Sequence, residues 1–174
     1  LGADLVRQAV ETLGNTGKRL WAVADGAYAM RPFVRPVTAL GVTLVGRLRK
    51  DAALRDVPRV PRQRGVGRPR KYGANRISLA KRAAHPQGWQ DVTCTVYGRE
   101  ELKKIKTFRA THRTFGGAIR VVIVQERTGP QFFYCTDTAA SPREIVETFA
   151  DRAAIEQVFH DVKEVWGSGQ QQVR

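Results

Sequence analysis

At 174 residues, of which 42% are hydrophobic, the chain suits one domain, or one plus an insertion, and argues against wholesale disorder. No apolar run approaches the ~18 residues of a membrane span, and the N-terminus lacks the basic-then-apolar order of a signal peptide, so no membrane partner is expected. The net charge is +14, and its distribution is uneven: residues 47–120 hold 20 Lys+Arg against 5 Asp+Glu, while the remainder holds 10 against 11. Concentrated positive charge of this kind suits a phosphate backbone, where counterion release drives affinity. A basic ribosomal-type or merely soluble surface is the other reading.

In chain order, ADLVRQAVETLGN (3–15) has apolar residues at helical spacing, with Leu5, Ala9 and Leu13 four apart and Gly14–Asn15 as a stop. LWAVAD (20–25) is a short apolar run ending in a carboxylate and reads as a buried strand. A helix is expected from about Met30 to Leu40, with Pro32 in its first turn and Gly41 ending it, although Pro36 conflicts with it. VTLVGRLR (42–49) reads as another strand, so the order implies an α/β unit with at least two parallel strands. Residues 50–76 are rich in Arg, Pro and Gly and read as a loop or extended arm. Four β-like runs follow at 91–98, 103–111, 118–126 and 131–137, punctuated by Gly98, Gly116–Gly117 and Gly129–Pro130. They suggest a small antiparallel sheet inserted into, or appended to, the core. Ser141–Pro142–Arg143–Glu144 is a capping box, and the helix it opens is expected to reach about Trp166.

On that last helix Ile155, Val158, Phe159, Val162 and Trp166 share one arc, while Phe149, Arg152, Glu156 and Lys163 fall in a sector beside it. A carboxylate flanked by Arg and Lys suits a metal ligand next to phosphate-gripping cations; an amphipathic helix with ordinary charge pairs has the same pattern. The spacing F-x2-R-x3-E-x6-K resembles the Tyr–Arg–Glu–Lys signature of insertion-sequence DDE transposases, with Phe149 in place of the tyrosine. ADGAY (24–28) resembles the family's second motif, a strand ending in an aspartate followed by a small residue and an aromatic. LVGRLRKDAALRD, GRPRKYG and the strands before Ser141 extend the resemblance over nearly the whole chain.

The resemblance implies an incomplete RNase H-like α/β core at 1–49, a basic β-rich insertion at 50–140, and a core helix at 141–174 bearing the final glutamate. It makes Asp25 and Glu156 two of three catalytic carboxylates that bind a pair of Mg²⁺ or Mn²⁺ ions, a two-metal site incomplete in this chain, with Arg152, Lys163, Phe149 and Tyr28 beside DNA phosphates. The implied function is metal-dependent cleavage and strand transfer of double-stranded DNA in the bacterial cytoplasm, at the nucleoid, by a possible homodimer. The family's first aspartate lies upstream of a helix like 3–15, and Asp4 reads as a helix N-terminal charge instead. With no methionine at Leu1, the chain is expected to be a fragment, inactive alone. The alternative is a DNA-binding remnant of a transposase that no longer cuts.

Several smaller features leave their readings open. GVGRPRK (65–71) resembles an AT-hook core; Arg68, Arg70 and Lys71 would enter a minor groove, contact phosphates generally, or lie on a solvated loop. Lys103, Lys104 and Lys106 line DNA or form a sheet's solvent face. Trp89 stacks on a base or belongs to the core; His160 stays outside the site. Cys94 and Cys135 have neither disulfide nor zinc spacing and read as small buried residues.

Overall fold

A computed structural model describes residues 2–58, 67 and 69–152. The first helix, α1 (Gly2–Leu13), ends in a 3-10 turn, and β1 (Trp21–Ala24), α2 (Arg31–Ala39) and β2 (Thr43–Arg47) follow. Then come β3 (Leu54–Arg55), β4 (Arg76–Ile77), α3 (Leu79–Ala84), β5 (Gln90–Val96), β6 (Arg99–His112), β7 (Gly117–Glu126) and β8 (Gly129–Cys135). Residues 142–152 form the described part of a final helix, α4.

All the described strands join one sheet, in the order β1-β2-β8-β7-β6-β3-β4, with β5 paired to β6. Only β1 and β2 run parallel; the other pairings are antiparallel. The β-rich segment is therefore continuous with the α/β unit: β8 pairs directly with β2, Val45 opposite Cys135. The sheet is covered on both sides. On one face Leu44, Ile119, Val121, Ile123 and Tyr134 pack with Val34 and Val37 of α2 and Leu79 of α3. On the other, Val45, Val122, Val124 and Phe133 pack with Ile145, Val146 and Ala150 of α4. A strand apolar on both faces has no polar side to alternate, which is why AIRVVIVQE reads as a nearly continuous apolar run.

Several local outcomes depart from sequence expectation. Pro36 does lie inside α2. The backbone bond it removes is offset by tertiary anchoring: Val34 and Val37 are fully buried, and Arg35 donates to the carbonyls of Thr114 and Arg113. The segment 50–76 is not wholly a loop, since β3 and β4 pair within it and Leu54 is fully buried. Helix α3 was not expected; Ser78 caps it by accepting from the Lys81 amide at 3.3 Å. At Ser141 the capping box forms as read: the Glu144 amide donates to Ser141 Oγ at 3.2 Å and the Ser141 amide to Glu144 Oε2 at 2.8 Å. The hairpin turn between β5 and β6 places Tyr97 at φ 51° and Gly98 at φ 72°, the left-handed pair that a two-residue turn requires.

Candidate functional site

Asp25 follows the last residue of β1 and is exposed. Its backbone is still extended (φ −67°, ψ 161°), and its carboxylate caps the 3-10 turn at 26–28 by accepting from the Gly26 amide at 2.6 Å through Oδ1. One carboxylate oxygen is thus held in place. Close packing of β1 on β2 sets the position: a β-carbon on Gly46 would come within 2.6 Å of the Ala24 carbonyl and 2.9 Å of the Tyr134 ring. Tyr28, half exposed at 49%, leans on Phe33 with ring centroids 5.1 Å apart.

The register carries this level of the sheet across the strands. Gly46 pairs with Ala24, so Arg47 is Asp25's neighbour; Arg47 pairs with Phe133, Phe133 with Val122, and Val122 with Thr107. Arg47 is exposed on the adjoining strand, and its β-carbon would lie 3.9 Å from one built on Gly26, the residue after Asp25. Phe149 of α4 stacks on Phe133 at 4.9 Å, so its ring packs in the core, about two strand spacings (~10 Å) from the Asp25 level. Arg152 lies at the end of the described part of α4. Glu156 and Lys163 lie outside the described residues, as does Arg68.

Residue 147 fixes α4 to the sheet. Glu147 Oε1 accepts from the Thr95 amide at 2.6 Å and from Arg143 Nε at 2.8 Å. The Thr95 amide foremost, with Arg143 adding, holds its carboxyl below the usual range, against the opposing effect of desolvation.

The lysines on β6 differ in what they can reach. Lys103 is 14% exposed and bridges Glu101 at 2.7 Å and Glu126 at 3.0 Å. Lys106 is buried; its ammonium donates to the carbonyls of Arg82 at 2.8 Å and His85 at 2.6 Å, beyond the end of α3, and lies 4.7 Å from the centre of the Trp89 ring. Both are committed to protein partners, whereas Lys104 is exposed. Trp89 is partly buried against the core, under Lys106. Arg70 and Lys71 are exposed on a loop whose base is stapled where the Gly73 amide donates to the Asp56 carbonyl at 3.1 Å. Asp4, in the first turn of α1, pairs with Arg7 at 3.2 Å. Cys94 and Cys135 are buried free thiols.

Arg47 was the neighbour that sequence reading missed. Its signal was available: two short strands of equal phase, each closing on a charged residue, place Asp25 and Arg47 together once they are paired in parallel. Among the described residues no three metal-ligating side chains cluster, and no helix is long and apolar enough to cross a membrane.

A family model described as a transposase DDE domain matches residues 2–174. The chain belongs to the DDE transposase family. No curated protein matches it as a relative. For the transposase domain, the mixed α/β sheet is compatible with the RNase H-like fold expected of the family, and DNA is the partner that membership implies.

Proposed function

We propose that this transposase domain belongs to an enzyme that cuts and joins double-stranded DNA by phosphoryl transfer, with Asp25 and Glu156 as two of its three carboxylates and the Tyr–Arg–Glu–Lys spacing supplied by Phe149, Arg152, Glu156 and Lys163. The observation that carries the reading is Asp25 itself: an exposed carboxylate at the end of a packed strand, one oxygen fixed by the Gly26 amide and an exposed cation, Arg47, on the adjoining strand. Hard oxygen donors of this kind fit Mg²⁺ or Mn²⁺. A bound divalent ion would supply a lowered pKa for the attacking water or 3′-hydroxyl and charge stabilisation at the leaving oxygen. Asp25 and Glu156 would hold it, while Arg47 and Arg152 draw the phosphate towards them and Tyr28 flanks the strand.

Family resemblance assigns two carboxylates to these residues and a third to an upstream segment, so the test compares two proteins. Nicking of supercoiled plasmid with Mn²⁺ is measured for the chain alone and for the chain extended upstream by a segment bearing an aspartate. The extended protein is expected to cut; Asp25→Asn and Glu156→Gln are each expected to lower the rate at least about a hundredfold while binding DNA normally. DNA binding without any cutting by the extended wild type would reduce the function to binding.

A further inference from the structure

A second surface lies away from Asp25. Residues 48–53 leave β2, cross the sheet and enter β3, which pairs with the far edge of β6. Where this crossing meets α3 and β6 there is a cleft of about 980 Å³. Lys50 stands on its rim from the crossing, Arg76 from β4, and Lys81 and Arg82 from α3. Lys50, Arg76 and Lys81 are exposed and make no ion pair with any of the described residues. Arg82 lies over the Phe108 ring at 4.9 Å, a stacking that orients its guanidinium without neutralising it. The two carboxylates in the cleft are already engaged. Asp51 takes two bonds from Arg49, at 3.1 and 3.2 Å, and Asp56 accepts from the backbone and side-chain amides of Asn75 at 3.1 and 2.7 Å. Lys106 at the floor is satisfied by carbonyls, so the cations left for a ligand are those on the rim.

The register relates this cleft to Asp25. Thr107, one of its lining residues, shares the Asp25 level of the sheet through Arg47, Phe133 and Val122, but the cleft opens on the face that carries α3, opposite the face where Phe133 and Val122 pack under α4. From β1 to β6 there are four strand spacings, about 19 Å in all.

We propose that this cleft holds the phosphate backbone of duplex DNA, as a contact surface on the sheet face opposite α4. The inference rests on the reading of duplex DNA as this domain's substrate. It adds a separate contact surface that sets how the duplex lies, built from Lys50, Arg76, Lys81 and Arg82. Cations without ion-pair partners around a cleft whose acids are engaged suit a polyanion, and they carry no preference for base sequence.

The test is binding of a fluorescent 30-base-pair duplex across a salt series, read by anisotropy. Three proteins are compared: wild type, a Lys50→Gln/Arg76→Gln/Lys81→Gln variant, and a charge-matched Lys18→Gln/Arg99→Gln/Arg113→Gln control. Circular dichroism melts check that all three fold alike. The cleft variant is expected to bind about tenfold or more weakly at moderate salt, its log–log salt slope shallower by about 2 to 3 units, with the control close to wild type. Equal losses in cleft variant and control, or displacement of the duplex from wild type by polyglutamate as readily as by unlabelled duplex, overturn the cleft assignment. Such a result leaves the Asp25 reading standing, because Asp25→Asn is scored separately by nicking. Conversely, a cleft effect on binding with no Asp25 effect on cutting sinks the cutting site and keeps the cleft as a DNA surface.

Discussion

The parallel unit and the antiparallel meander of this transposase domain are built to different standards. In the meander, β6, β7 and β8 are long and bury side chains on both faces, with Ile119, Val121, Val122, Ile123 and Tyr134 fully inaccessible. In the parallel unit β1 is four residues long and stands at the edge of the sheet, and α1 buries no residue, with Leu5 61% and Leu13 48% exposed. Yet Asp25 belongs to the lightly covered unit. The meander is buried on both faces, and the candidate chemistry sits in the more lightly covered unit.

The contrast can be broken most severely at Tyr134, which is fully buried in the meander against Phe115. Tyr134→Ala is expected to cost about 3–5 kcal/mol in denaturant unfolding. Tyr134→Phe sharpens the point. The hydroxyl is buried without a hydrogen bond to any described residue, and burial pushes its pKa up, so removing it is expected to leave stability unchanged or raise it. A clear loss on Tyr134→Phe would show that the hydroxyl has a partner.

Next in size is Gly46→Val, where the two regions meet. The new side chain would press on the Ala24 carbonyl and the Tyr134 ring, and a destabilisation of roughly 1–3 kcal/mol is expected. Because β1 must move to relieve it, plasmid nicking by the extended protein should fall further than stability alone explains. Unchanged nicking would separate the strand packing from the site.

A smaller, pH-dependent effect is expected at Glu147. Its folded-state pKa lies below the unfolded one, so the stability it contributes is fully present above the unfolded carboxylate range and is lost as pH falls through the lowered folded value. Melting temperatures measured from about pH 6 down to pH 3 should therefore fall more steeply for wild type than for Glu147→Gln. Parallel curves would mean that the clamp on Thr95 contributes nothing. The smallest change belongs to Leu5→Ala on the open face of α1, expected within about 0.5 kcal/mol of wild type. A large loss there would mean that this face is covered in solution.

Read from the sequence alone, the elements that follow local chemistry are the ones that emerge as expected. α1 has its apolar spacing, the strands at 21–24 and 43–47 are short apolar runs, and the Ser141–Glu144 box closes on itself. The four later strands are bounded by turns whose residues mark them, and β6 extends further than expected because Arg99 and Glu100 pair with β5 although their side chains are polar. Transposase membership was legible for a different reason: two short motifs resemble the family's, and the family match spans the same chain.

Tertiary structure alone decided the rest, because each case depends on what lies across space. Nothing local in LRKDAALRD says that Leu54 is buried or that β3 pairs with β6, since two-residue strands carry no period. Pro36 is kept in a helix by Arg35 and two buried valines, a balance that intrinsic propensity does not contain. The three lysines of KKIK look alike in sequence. Lys103 is held between two glutamates, Lys106 is buried against carbonyls and Trp89, and only Lys104 faces solvent. Sequence alone determined that this chain carries a strongly basic segment and a carboxylate at a strand's end, because composition and period are local properties. Which cations remain open to a polyanion was decided by the fold, because charge is neutralised by whatever the folded chain brings beside it.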